Sequence, residues 1–274
     1  MNLMITAQTR SGSDRQSRRH PVGTPKAQTL SGTLTDYSTG ELHSHPCHQI
    51  LTIRNGISLL EDDTFKQPLY GKMCAFLPAG FLHRSIVIGD AVSYQSIYMD
   101  TSLFRCKEKR IILFTMSELS SALFNALASH TGNITEGFAG RSLRLFVEAI
   151  KTDFSSRPFL MQIPQPQSDE SKKIIDYIES NFSRKLSLRD FRSALPYSSR
   201  HITRIFTQEM KISIFEYLRL YRIFMSSVML HNRTKSVLAV AYACGYESLS
   251  SFYADFRKYY SLTPKEFRAR TGDQ

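Results

Sequence analysis

Between Ile214 and Leu230 lie 17 residues with neither Pro nor Gly, a helix-compatible run flanked on both sides by the same hydrophobic pattern. Downstream, small apolar residues (Val237, Val240, Ala241) predict a short helix that ends at Cys244-Gly245-Tyr246, where glycine supplies the positive φ of a tight turn. Ser248 is placed to cap a second helix, in which Leu249, Phe252, Phe256 and Tyr259 mark a buried stripe. Its opposite face carries Ser250, Ala254, Arg257 and Lys258. Upstream the pattern repeats. Leu188 to Leu195 forms one short helix, Pro196-Tyr197 turns the chain, and Ser198 opens SSRHITRIFTQEM, whose buried stripe is Ile202, Ile205, Phe206 and Glu209-Met210. Arg200, Thr203, Arg204 and Thr207 face outward. Each unit reads either as a plain helical hairpin or as a helix-turn-helix; the repetition favours the second. The central run makes a rod of roughly 25 Å, a scaffold for presenting both outer helices to successive major grooves about 34 Å apart.

From about Leu30 the period shortens to that of strands: Gln49 to Ile53, Ile57 to Leu60, Met73 to Leu77, Ser85 to Ile88 and Val92 to Met99. Asn55-Gly56, Glu61-Asp62-Asp63, Gly71 and Gly89-Asp90 separate them as turns. Such spacing suggests a barrel or sandwich. Helical spacing returns at Glu118 to His130 (Leu119, Ala122, Leu123, Ala126, Leu127) and at Ser142 to Phe154 (Leu143, Phe146, Val147, Ile150). This pair packs either within the chain or against a second copy. Arg157 to Ser171, with three prolines and no periodicity, reads as a semi-stiff linker. The expected organisation is α+β in two domains: a disordered basic tail (1–28, with Arg15, Arg18 and Arg19), a strand domain (29–156), the linker (157–171) and an all-α unit (172–270), each domain with its own core.

Charge sharpens this division. The net charge of +11 is uneven, because residues 31–170 hold 12 basic against 14 acidic groups and residues 171–274 hold 18 against 9. A polyanion-binding unit joined to a near-neutral one has this distribution. Four cysteines without a CxxC suit a reducing compartment, and no apolar run approaches a membrane span. The opening MNLMIT does not resemble a secretion signal, so the expectation is a cytoplasmic protein with no membrane partner.

Ser198-Ser199-Arg200-His201-Ile202-Thr203-Arg204-Ile205-Phe206 in the first unit, with Ala241, Gly245-Tyr246-Glu247-Ser248, Ser251-Phe252, Phe256-Arg257, Thr263-Pro264 and Phe267-Arg268 in the second, resemble the DNA-binding domain of AraC/XylS-type transcription regulators. The resemblance covers residues 172 to 270. The candidate DNA contacts are then Ser199, Arg200, His201, Thr203, Arg204 and Thr207 in the first unit and Ser250, Ser251, Ala254, Arg257 and Lys258 in the second. Arginine can pair bidentately with guanine and threonine can meet a thymine methyl. This chain departs from the family at Arg192 and Pro196, where a small residue and a turn glycine are usual, and at Ala254-Asp255, where some members carry a base-reading arginine. Sequence readout is therefore expected from the first unit and phosphate grip from the second.

The strand domain holds His43-Ser44-His45, then Gln49, then Pro78-Ala79-Gly80-Phe81-Leu82-His83, which resembles the two signature segments of cupins. The resemblance implies a site of His43, His45, Gln49 and His83, with Gln49 standing where a cupin has a charged ligand and Val87 where it often has Asn. Two readings stay open: a divalent ion such as Zn²⁺ held by the three imidazoles, or a metal-free pocket for an organic effector. Cys47 and His48 are extra potential ligands, of which only Cys47 shares a face with His43 and His45 and reads equally as a plain buried thiol, and Phe65, Phe76, Phe81 and Tyr94 are either cavity lining or core. The expected function is a regulator, an activator by family habit, that binds double-stranded promoter DNA, senses a small molecule or metal, and engages RNA polymerase and a second copy of itself. It is not expected to be an enzyme. The alternatives are a cupin metal enzyme with a DNA-binding tether and a protein that antagonises another regulator.

Overall fold

The computed structural model describes residues 27–35, 42–71, 73–130, 134–154, 162–231 and 234–271. Seven strands come from β1 (Ala27–Thr35), β2 (His48–Glu61), β3 (Phe65–Tyr70), β4 (Met73–Leu77), β5 (Arg84–Met99), β6 (Ile112–Thr115) and β7 (Ile163–Pro164). They form one antiparallel sheet ordered β1-β5-β2-β3-β7, with β4 on the early part of β2 and β6 beyond it. No pairing joins the ends of this path among the described residues, so the expected barrel is an open sheet.

Several strand expectations change. Asn55-Gly56 and Gly89-Asp90 do not break strands; β2 and β5 run through them. At Asn55 the β2–β5 register shifts, a bulge rather than a hairpin turn. Gly56 there has φ of 87°, and a Cβ would lie 2.3 Å from the Ala91 carbonyl oxygen, so only glycine fits. The turn expected at Glu61-Asp62-Asp63 is present: the Asp62 carboxylate accepts from the backbone N–H groups of Thr64 and Phe65, at 2.7 and 2.8 Å. The expected tail at 1–28 lies outside the described residues up to 26, while Ala27 and Gln28 belong to β1.

Helices follow: α1 (Glu118–Ala128), α2 (Gly137–Asp153), α3 (Asp169–Asn181), α4 (Leu188–Ala194), α5 (Ser199–Met210), α6 (Ile214–His231), α7 (Val237–Ala243), α8 (Leu249–Tyr260) and α9 (Pro264–Thr271). In α2 the expected stripe of Leu143, Phe146, Val147 and Ile150 is buried. In α1 the buried face is Ser120, Phe124 and Leu127, and Leu119 is exposed.

The sheet is two-sided, because alternate residues of a strand point to opposite faces. Ile50, Cys74, Phe76, Ile97 and Phe114 meet α1 and α2 residues such as Phe124 and Phe146. Their neighbours Leu51, Ala75, Leu77 and Leu113 belong to a second cluster that continues without a break into the C-terminal helices. One core per domain is thus corrected to one core per sheet face. At the junction Tyr70 is buried against His231 and Phe267, with ring centroids 5.9 and 5.7 Å away. Lys66 on β3 pairs with Glu179 on α3 at 3.3 Å, and the Tyr217 hydroxyl on α6 donates to the same carboxylate at 3.2 Å.

The expected linker is partly a strand. Ile163 is fully buried and pairs with β3, Gln165 N–H donates to Thr64 O at 2.6 Å, and the Gln167 amide reaches Asp63 O at 2.6 Å. Pro164 sits at the end of the β3–β7 pairing, on an edge strand that tolerates a missing N–H.

Candidate nucleic-acid interface

The two C-terminal units are near copies. Both outer helices, α5 and α8, are 12 residues long, and their N-caps Ser198 and Ser248 stand fifty positions apart. Each cap oxygen accepts a backbone N–H from three residues on, His201 at 3.2 Å and Ser251 at 3.3 Å. Each helix ends on a left-handed residue, Lys211 with φ of 59° and Ser261 with φ of 54°. The buried stripes correspond: Ile202, Phe206 and Met210 in α5, and Phe252, Phe256 and Tyr260 in α8. Four expected stripe members sit at the margin, Glu209 among them as a half-buried residue. Leu249 is 38% exposed, and Tyr259 and Ile205 are half-buried. Tyr260 takes the core place instead, since its ring packs on Phe256 and Phe267 at 4.9 and 4.8 Å.

The two turns use different chemistry. In the second unit Gly245 has φ of 78°, with its N–H donating to Tyr242 O at 2.9 Å and the Tyr246 N–H donating to Ala241 O at 3.1 Å. This is the two-bond closure of a helix C-terminus that a left-handed residue permits. In the first unit α4 ends at Leu195, an extended residue with φ of −121° and ψ of 146°. That is the conformation a following proline favours. Pro196 therefore makes a shorter turn without any positive φ, and the departure at this position has a physical reason.

Arg200, Thr203, Arg204 and Thr207 all lie exposed on α5, with Ser199 and His201 half-buried at its start. On α8, Ser250, Ser251, Ala254, Arg257 and Lys258 are exposed. Within α5 the Arg204 guanidinium is steadied by Gln208 Oε1 at 3.0 Å, one helical turn on. The Thr203 hydroxyl donates to Ser199 O at 2.9 Å. On α8 the Lys258 ammonium lies 5.1 Å from the Tyr259 ring centroid, and Tyr253, Ala254, Arg257 and Lys258 line a shallow cleft. Each outer face thus offers cations and hydroxyls on a rigid helix.

Two residues outside the expected set position these helices. Glu209, on α5, accepts bonds from the Gln167 and Ser168 backbones and from the Ser168 and Ser171 hydroxyls, capping α3 from the side. Partial burial acts upward on its carboxyl, but these four donors outweigh it and hold the group at about 2. Arg222, on α6, donates to Phe182 O at 2.8 Å and Arg184 O at 2.7 Å and lies over the Tyr246 ring at 5.9 Å, so it fixes the α3 end against the second turn. Glu209 had a sequence signal only as a member of the α5 stripe, and Arg222 none beyond a charge on a helix.

In the sheet domain the four expected site residues do come together. His43 and His83 exchange backbone hydrogen bonds at 2.9 Å, and the ring centroids are 4.5 Å apart; His45 and His83 are at 5.1 Å. His45 Nδ1 meets Cys47 O at 2.6 Å and its Nε2 meets Gln49 Oε1 at 3.1 Å, while the Gln49 amide donates to Ser96 Oγ at 2.9 Å. Burial lowers the His45 pKa, although the Cys47 and Gln49 bonds act against it.

His45 has both nitrogens engaged, Nδ1 with Cys47 O and Nε2 with Gln49 Oε1, and no group of three or more His, Cys, Asp or Glu is arranged to hold an ion among the described residues. His48 is a framing residue: its Nδ1 accepts from Ala79 N–H at 3.0 Å, and its ring lies 5.1 Å from Phe76 and 5.8 Å from Phe104. Phe76 is core and Tyr94 is buried, whereas Phe65 and Phe81 are half-buried. No helix among the described residues is long and apolar enough to cross a membrane.

Comparison with known proteins places this geometry. A family model described as a helix-turn-helix domain matches residues 193–270. The putative HTH-type transcriptional regulator YkgA of Escherichia coli is 28% identical over 99 residues, 36% of this chain and 41% of that protein's own length. The HTH-type transcriptional activator RhaR of Mannheimia succiniciproducens is 27% identical over 250 residues, 84% of this chain and 87% of that protein. Among solved structures, ToxT of Vibrio cholerae is 14% identical and covers 91% of this chain and 100% of that one, with a TM-score of 0.38. The C-terminal domain of AraT from Geobacillus stearothermophilus is 23% identical over 39% of this chain and 89% of that one, at 0.37. With its two Ser-capped outer helices, the C-terminal third of the chain, over residues 193–270, carries the helix-turn-helix domain of AraC/XylS-type regulators.

Proposed function

We propose that the chain is a sequence-specific transcription regulator, an activator, that grips double-stranded promoter DNA with α5 and α8. The observation that carries this reading is the duplication. Two helices of equal length, capped alike, are each buried on one side and expose cations and hydroxyls on the other. In this reading Arg200, Arg204 and Thr207 read base edges, with the Thr203 methyl turned outward while its hydroxyl is tied back. Ser199 and His201 meet the backbone at the helix start. Ser250, Ser251, Arg257 and Lys258 hold phosphate, and Ala254 allows close approach without adding a hydrogen bond. The sheet domain, read as a cupin-like sensor, uses the His43, His45, Gln49 and His83 cluster to recognise a small organic molecule. The relative named as an activator supports the direction of control. RNA polymerase and a second copy of the chain are the protein partners this function requires, and the bacterial cytoplasm is where they meet.

The test is Arg204→Ala. Loss of a bidentate base contact costs roughly 1–3 kcal/mol and relaxes preference at one base pair. Selection from random duplexes followed by titration at two salt concentrations measures both. A mutant with unchanged affinity and unchanged preference removes Arg204 from base readout. Affinity independent of salt would remove phosphate contact as the basis of binding.

A further inference from the structure

Because Ser198 and Ser248 cap helices of equal length, an offset of fifty residues aligns α5 and α8 position by position. Under that offset Thr203 corresponds to Tyr253, Arg204 to Ala254 and Gln208 to Lys258. At the sixth helical position the first unit therefore carries a guanidinium, braced by Gln208 at 3.0 Å, and the second a bare methyl group. Neighbouring polar groups do not take its place. Asp255 is tied to the turn, since its Oδ2 accepts from the Tyr246 hydroxyl at 3.0 Å. The Ser250 and Ser251 hydroxyls are gathered at the helix start, 3.2 and 2.9 Å from Ser248 Oγ. Beside Ala254 stands Tyr253, half-buried, its ring edge-on to the buried Phe252 ring with centroids 6.1 Å apart. These two share one cleft with Arg257 and Lys258, the residues a helical turn further on. The middle of the α8 outer face is thus apolar and edged by cations, where that of α5 is polar.

We infer that the second unit reads thymine through its C5 methyl group, with Tyr253 and Ala254 as the specificity-determining pair. The inference rests on α8 entering the major groove as proposed above. Thymine presents a methyl group in that groove, and an apolar side chain is what meets it there. Alanine has no long side chain to hold the helix away from the base edge, so the methyl group comes close. The Tyr253 ring, fixed against Phe252, then shields that methyl from water. Arg257 and Lys258, on the same cleft, hold phosphate and keep the helix at that depth. A position that merely lacked an arginine would be indifferent to the base; an alanine backed by a fixed aromatic ring is not. The two units therefore read different chemistry, hydrogen-bonding base edges by α5 and thymine methyl groups by α8.

The experiment uses the full chain and the duplex it selects from a random pool, with deoxyuridine, which lacks the methyl group of thymine, placed at one thymine at a time. The α8 half-site is the half remote from the base pair whose preference Arg204→Ala relaxes. One deoxyuridine there should weaken binding by about fourfold, the worth of burying one methyl group. Tyr253→Gln should bring that ratio towards one. Since the ratio compares two duplexes on the same protein, a variant that folds less well still reports it. Ala254→Arg, at an exposed helical position, should move the preferred base from thymine to guanine. An α8 half-site without thymine, deoxyuridine tolerated at every position in it, a ratio unchanged in Tyr253→Gln, or the wild-type preference retained in Ala254→Arg would each overturn the inference. Salt-dependent binding to the same duplex would then leave the regulator itself standing. A chain that selects no duplex would bring down both.

Discussion

Replacing Gly245 with alanine tests whether the second unit is held by backbone geometry or only by its apolar stripe. At φ of 78° an L-residue carries roughly 1–2 kcal/mol of strain from the left-handed conformation alone. The added Cβ would also stand 2.7 Å from Ser183 O and 2.9 Å from both Phe182 O and an Arg222 guanidinium nitrogen. The Phe182 carbonyl is tied by Arg222 at 2.8 Å, and Ser183 lies between it and Arg184, whose carbonyl Arg222 also holds at 2.7 Å, so the segment cannot withdraw freely. Overpacking against such a frame adds about 1–3 kcal/mol, so Gly245→Ala should destabilise the protein by roughly 2–5 kcal/mol. Gly80→Ala is the matched control: its φ is 74°, and a Cβ there meets nothing within 4 Å. It should show the conformational strain alone, about 1–2 kcal/mol. Urea unfolding followed by far-ultraviolet circular dichroism gives both values, and a gel shift reports whether α8 keeps its place. If Gly245→Ala destabilises no more than Gly80→Ala, the packing of the turn against the α3 end is not what holds it.

The ties around α3 give two further outcomes. Glu209, held near 2 by its donors against an ordinary 4.5, binds its proton less readily folded than unfolded. Its contribution is therefore present above about 4.5 and lost as the pH falls towards about 2. The melting temperature of the wild type should drop more steeply across that window than that of Glu209→Gln, and parallel pH profiles would show that the carboxylate is not the cap. Lys66→Met strands the half-buried Glu179, whose pKa burial already raises while Lys66 opposes it. Removing the lysine raises it further, so stability should fall as the pH rises above 4.5, by about 1–3 kcal/mol at neutrality. Lys66→Met/Glu179→Gln should recover most of that loss in chemical denaturation, and failure to recover would assign the effect to the lysine stem rather than to the charge pair.

The helical third was legible because its signals are local. Ser198 and Ser248 cap, Gly245 turns, and Ile202, Phe206, Phe252 and Phe256 recur at helical spacing, all within a few residues of where they act. The sheet was less legible for a physical reason. β2 is buried on both faces, so Ile50 and Leu51 serve different cores and the strand shows no polar alternation that would mark its length. Asn55-Gly56 carries the composition of a hairpin turn, yet the long-range pairing of β2 with β5 makes it a bulge. β7 was missed because two residues, one of them proline, have no period. Ile163 owes its burial to long-range neighbours, the partner strand and α6. The structure brings the histidines together, but the partners of their nitrogens include Cys47 O and Phe81 O, and Ser96 turns the Gln49 amide whose oxygen meets His45, contacts no spacing rule supplies.

These long-range contacts bear on how a signal in the sheet could reach the DNA-binding unit. Residues 163–168 are bonded on one side to the β2–β3 turn, through Thr64 O and Asp63 O, and on the other to α5, through Glu209. The first outer helix is therefore oriented partly by a segment whose own position the sheet sets. The second outer helix is reached by another route: Tyr70 on β3 packs on Phe267, which packs on Phe256 and Tyr260 of α8. One route starts at the turn that leads into β3 and the other on β3 itself, with Lys66 and Glu179 between them. A shift of β3 would act on both readers at once. The helical unit, moreover, begins at Ser168, the cap of α3 and a donor to Glu209, and not at residue 172. A boundary drawn by composition at the end of the prolines cuts through the clasp that joins the sheet to the first reader.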